Sequence, residues 1–214
     1  MNRRQFALRT GAASFSLGLG RTAFAQAAAP VEGRDFTRLA AALPMPANGK
    51  IEVVEFFMYS CPHCNAFEPA LDAWSKKLPP DVTLQRVPVF FGRADQEMHR
   101  KIFYGLEAIG KLEEMHRKVF AAIHVQHQYL DQIGDVKKFM TANGVDAEKF
   151  EAAAKSFSVI GKLRQAQQLM DAHRIDGVPT LGVHGRYLTS GSMTGSNERA
   201  LQVVEYLVAK IRKG

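Results

Sequence analysis

Only two cysteines and one tryptophan occur among 214 residues, and no acidic residue precedes Glu32. Two cysteines are too few for the multiple-disulfide framework that replaces a core in small exported domains. A chain with 46% hydrophobic residues is also long enough to bury a core of its own. There is no second Cys-x-x-Cys pair, so a zinc site would need two further ligands. The spacings of His99, His116, His124 and His127 match no usual pairing, and no metal is expected. No stretch approaches the roughly 20 uncharged apolar residues needed to span a bilayer. Charged residues at 23% and aromatics at 9% are ordinary for a globular protein and exclude disordered, collagen-like and coiled-coil classes.

The formal charge of +7 is concentrated at the N-terminus. Arg3, Arg4, Arg9 and Arg21 all fall in the acid-free segment, and residues 26–214 carry 24 basic against 21 acidic residues. Without a long basic run or an aromatic-interleaved basic stripe, no nucleic-acid partner is expected. The segment itself has three parts. Arg3, Arg4 and Arg9 supply charge, residues 11–20 (GAASFSLGLG) are apolar, and Ala23-Phe24-Ala25 has the small-x-small pattern of a cleavage site. Residues 1–25 are therefore expected to be a signal peptide, with Gln26 the mature start. Arg3-Arg4-Gln5-Phe6 also resembles a twin-arginine signal, which leaves the general secretory and twin-arginine routes open.

Export leads to a compartment where disulfides persist. Cys61 and Cys64 lie in Phe56-Phe57-Met58-Tyr59-Ser60-Cys61-Pro62-His63-Cys64. A bridge between them would close a very short loop, and chain-entropy stabilisation is least for the shortest loops. With structural and zinc roles disfavoured, a redox dithiol remains. Residues 51–58 (IEVVEFFM) form a β-rich apolar run, and Phe67, Leu71 and Trp74 then recur at helical spacing. Strand, turn and helix place Cys61 at the helix start, with Pro62 in the first turn where its missing N–H does no harm. Unpaired amides and the helix dipole favour an anion there, so Cys61 is expected to ionise well below neutrality and to be the accessible, attacking sulfur. Cys64, one turn on and away from solvent, is placed to resolve a mixed disulfide. The ring of His63 is expected to donate to the Cys61 sulfur, favouring an oxidising pair.

The run EFFMYSCPHC resembles the DsbA family of bacterial periplasmic thiol oxidases. Gly177-Val178-Pro179-Thr180, an apolar strand (Leu181 to Val183), a His184-Gly185 turn and a second strand (Arg186 to Leu188) extend the likeness. Stripes at Met98/Ile102/Leu106/Ile109, Leu112/Met115/Val119/Ile123 and Val159/Leu163/Ala166/Met170 match the family's helical insertion. The resemblance implies an α/β, thioredoxin-like fold, a central mixed sheet flanked by helices with an inserted all-helical domain. The expected organisation is residues 26–92 and 171–214 for the thioredoxin-like parts and 93–170 for the insert. It further implies a cis Val178–Pro179 bond facing the cysteines, with the Val178 carbonyl and amide free to pair with an extended substrate.

Glu55, six residues before Cys61, is either a buried proton acceptor for Cys64, as the family's equivalent glutamate implies, or a sheet-edge residue with its tip in water. Arg86 stands where the family often has a lysine, and a permanently charged guanidinium is expected to hold Glu55 ionised longer. His116, His124 and His127 are expected at surface or packing positions, with His124 and His127 three apart and able to share a face. The basic C-terminus suits the negative end of a helix and needs no partner.

The function implied is oxidation of reduced, newly exported polypeptides through a mixed disulfide at Cys61. No dissociable cofactor is required, and a quinone-linked membrane oxidase of the DsbB type would regenerate the disulfide. Two rivals are carried: a reductase or isomerase on the same fold, and a peptide-binding holdase with incidental cysteines. Family isomerases carry an N-terminal dimerisation domain. Fewer than 30 residues separate Gln26 from the first strand, so a monomer is expected.

Overall fold

The computed structural model describes residues 29–44 and 49–213. The expected signal segment, residues 1–25, lies outside the described residues. Five strands form a mixed sheet: β1 (Thr37–Arg38), β2 (Ile51–Phe57), β3 (Val82–Pro88), β4 (Thr180–Val183) and β5 (Tyr187–Thr189), in the order β1-β5-β4-β2-β3. The helices are α1 (Pro62–Ser75), α2 (Ala94–Ala108), α3 (Leu112–His124), α4 (Ile133–Ala142), α5 (Ala147–Ala154), α6 (Phe157–His173), α7 (Gly191–Thr194) and α8 (Asn197–Arg212).

β2 runs parallel to β3, joined to it by α1, and antiparallel to β4. An inner strand covered on both faces reads as a nearly continuous apolar run instead of an alternating one. That accounts for Ile51–Phe57, where Glu52 is only partly covered, and leaves the buried Glu55 as its anomaly. One core cluster joins β2 and β4 to α1 and α8 through Val53, Phe67, Leu71, Leu181, Val204 and Leu207. The other lies toward α2–α6 and includes Phe57, Val87, Ile102, Leu106, Met115 and, from α6, Leu163.

The helical stripes read from spacing are the buried faces. Val159, Leu163, Ala166 and Met170 of α6 are all covered, and α4 ends at Ala142 just before Asn143-Gly144. In the β4–β5 hairpin, Val183 pairs with Tyr187 across the three residues His184, Gly185 and Arg186, and His184 and Gly185 both have positive φ (50° and 58°). Strand β1 goes beyond the sequence reading: two residues pairing with Tyr187 and Leu188 carry no periodic signal. α1 also runs through Pro69, giving up one backbone hydrogen bond. Lys210 and Arg212 lie in the last turn of α8, and Arg212 makes two 2.8 Å bonds to the Asp81 carboxylate. Among the described residues no helix is long and apolar enough to cross a membrane.

Candidate active site

β2 ends at Phe57, and a tight turn, closed by Cys61 N–H donating to Met58 O at 3.1 Å, delivers Cys61 as the N-cap of α1. Pro62 occupies the first helical position, where no amide hydrogen is needed. The Cys61 sulfur takes the place of the usual capping oxygen and accepts the Cys64 amide at 3.4 Å. Both thiols are reduced.

The two sulfurs have unlike surroundings. The Cys61 thiol is lowered from 9.0 to about 6, first by the hydrogen bond from the Cys64 thiol, against a burial cost, then by the Cys64 and His63 amides and the His63 charge. This is nearer neutrality than expected, because part of the dipolar gain is spent on desolvation. Cys61 is also less open than expected, at 7% exposure against 0% for Cys64. Burial pushes the Cys64 thiol far up, reinforced by its bond to Cys61. The His63 ring does not make the expected bond: it is exposed, no hydrogen bond joins it to Cys61 among the described residues, and its charge is the smallest of the causes. Replacing His63 by alanine is therefore expected to raise the Cys61 midpoint by less than about one unit, since the helix amides remain. Thiolate absorbance during an acid titration checks this.

The Val178–Pro179 bond is cis, and Val178 O lies 3.6 Å from Cys61 Sγ, where it accepts the thiol hydrogen while Cys61 is protonated. Beside it lies an open groove of about 930 Å³ lined by His63, Ala66, Val178, Pro179, Leu188 and Met193.

Behind the cysteines, Glu55 is 1% exposed, which excludes the sheet-edge alternative. Strand register sets it against Arg86, whose Nε lies 3.4 Å from Glu55 Oε2. Arg86 Nη2 donates to Glu68 Oε1 at 2.9 Å, so one guanidinium serves two carboxylates. Arg86 acts in the expected direction on Glu55 but is outweighed. Burial raises the proton affinity of Glu55, the Glu68 charge adds to this, and Arg86 opposes only in part.

Glu68 and His116 were both missed as parts of this array. Glu68 sits on the buried stripe of α1 with Cys64, Phe67 and Leu71, and an acid on an apolar stripe was the available signal. His116 is 5% exposed, beside Met115, Val119 and Phe120 on α3. Three other histidines, His99, His124 and His127, line one cleft together. α3 ends at His124, which bonds Tyr59 O at 2.7 Å, whereas His127 lies in the following loop and shares no helix face with it. Among the described residues no three His, Cys, Asp or Glu side chains are grouped to hold a metal.

A mixed sheet carrying a Cys-x-x-Cys pair at a helix start, opposite a cis-proline hairpin, defines a thioredoxin-fold thiol:disulfide oxidoreductase. A family model described as DSBA-like thioredoxin domain matches residues 95–199. The chain is 42% identical to the thiol:disulfide interchange protein DsbA of Burkholderia cepacia, over 92% of this chain and 93% of that one. It is 39% identical to that of Pseudomonas aeruginosa PAO1, over 88% and 89%. The crystal structure of Pseudomonas aeruginosa DsbA superposes with a TM-score of 0.82 at 38% identity, covering 86% of this chain and 95% of that one. DsbA from Xylella fastidiosa gives 0.80 at 30% identity, covering 86% and 99%. The chain belongs to the DsbA family.

Proposed function

We propose that this protein is exported to the periplasm by residues 1–25 and acts there as a monomeric dithiol oxidase of reduced polypeptides. A substrate thiolate attacks Cys61 Sγ, and the Cys61–Cys64 bond breaks. Cys64 leaves with the electron pair and takes a proton from Glu55, whose burial favours the neutral acid. A second substrate thiolate then attacks the substrate sulfur of the mixed disulfide and expels Cys61 as a thiolate. Two electrons pass to the protein, and the substrate gains one disulfide. Val178 and Pro179 border the groove in which an extended substrate would lie, with residues 93–170 an inserted helical unit above the site. Reoxidation falls to a membrane quinone-linked oxidase of the DsbB type, and the redox group is the Cys61–Cys64 pair itself.

The observation that carries this reading is the asymmetry of the pair: one sulfur capping a helix and ionising at about 6, the other fully buried. Stabilising the thiolate stabilises the reduced pair, which makes the disulfide a stronger oxidant. Equilibration of Cys61–Cys64 against glutathione buffers tests the direction. The pair is expected to be reduced at low glutathione, and a strongly reducing value would assign a reductase instead.

A further inference from the structure

His116 lies 57 residues from Tyr59 in sequence, yet its Nδ1 is 2.7 Å from the Tyr59 hydroxyl, and its Nε2 is 3.4 Å from Glu68 Oε2. Burial pushes the Tyr59 phenol well up, so it keeps its proton and donates to Nδ1. The ring hydrogen is then on Nε2, facing the Glu68 carboxylate. Glu68 Oε1 meanwhile accepts from Arg86 Nη2 at 2.9 Å, and Arg86 Nε reaches Glu55 Oε2 at 3.4 Å. Tyr59, His116, Glu68, Arg86 and Glu55 thus form one buried line from the turn that carries Cys61 to the carboxyl beside Cys64.

We propose that His116 is a positioning residue of the thiol chemistry, holding Glu68 so that Arg86 is shared between two carboxylates and Glu55 remains able to carry a proton. Without His116, Glu68 Oε2 loses the ring that packs 3.4 Å from it, and Glu68 is no longer held in place against Arg86. Arg86 is then freer to pair with Glu55 alone. A closer guanidinium favours ionised Glu55.

The groups that face this line are few. Glu55 on β2 meets Arg86 from β3, Glu68 and Cys64 from α1, Tyr59 from the turn and apolar Leu181 from β4. Around His116, α2 offers the ring of Phe103 and α3 that of Phe120. A cleft of about 30 Å³, room for one water molecule, opens on Glu68, Arg86 and His116 between Asp72, Glu113 and Arg117.

The inference rests on Glu55 serving Cys64, but its test reads Glu55 directly. Carbon-13 carboxyl shifts of Glu55 are followed through a pH titration of the reduced protein, alongside the pH profile of thiol exchange. His116→Phe is expected to lower the Glu55 midpoint by about one unit, the low end of what a closer opposite charge does to a carboxylate. His116→Gln, with one acceptor for Tyr59 and one donor for Glu68, is expected to restore it. Should His116→Phe not fold, Tyr59→Phe removes one hydroxyl from the same line and is expected to shift the midpoint in the same direction. Equal midpoints in the folded variants and the parent would overturn the proposal, as would equal displacement by Phe and Gln. A shifted midpoint with an unmoved exchange profile would uphold His116 and overturn the role of Glu55.

Discussion

Replacing Cys61 by serine is expected to reduce thiol oxidation of a reduced model peptide to the uncatalysed rate. The hydroxyl cannot form the mixed disulfide, and no other thiol in the chain is exposed to replace it. Cys64 is the one remaining cysteine, and it is fully buried with its proton tightly held. At pH 7 a thiol with a midpoint of about 6 is about 90% ionised, against about 1% for a thiol at its ordinary value. The complementary variant separates the two sulfurs. Cys64→Ala keeps the capping sulfur but lacks the resolving one, so with a disulfide substrate it is expected to accumulate the mixed species at Cys61, detectable by intact mass. If Cys61→Ser accumulated that adduct instead, the assignment of the attacking sulfur would be reversed.

The second large effect is on stability. The Cys61 thiol is depressed in the folded protein from 9.0 to about 6, so its contribution is fully present above the unfolded value of 9.0 and is lost as pH falls through about 6. The oxidised protein has no such group. The stability gap between reduced and oxidised forms is therefore expected to move in favour of the reduced form from pH 5 to 9, by about 1 kcal/mol at pH 7 and about 3 kcal/mol at pH 9, after allowance for screening at the sulfur. Glu55 has the opposite sign: its raised affinity contributes below 4.5 and is lost as pH rises through the folded value. It is present in both redox forms and largely cancels in their difference. Urea unfolding of both forms across this range measures the gap, and a pH-independent gap would show that the Cys61 thiol is not depressed.

The histidines show where reading from residues stopped. His116 and His124 both fall on a helix whose apolar spacing is plain, and neither has a sequence neighbour that marks it as polar machinery. Their partners are Glu68 and the Tyr59 hydroxyl for His116, and the Tyr59 carbonyl for His124. Both partner residues lie far from α3 in the sequence. His63 erred the other way. Adjacency to both cysteines suggested a ring bond, but at the second position of the helix its side chain points outward while its amide serves the sulfur.

What residues alone determined is local: a strand, a turn, Pro62 at the first helical position and two cysteines one turn apart. Helix amides and dipole act within that single turn, so Cys61 could be placed as the low-affinity sulfur before any long-range contact was known. Tertiary structure decided the rest. The burial of Glu55, its register with Arg86, the division of that guanidinium with Glu68, and the approach of Val178 O to Cys61 across 117 residues all depend on which segments pack together. Desolvation and ion pairing fall off over a few ångströms, and sequence separation carries no information about distances of that size.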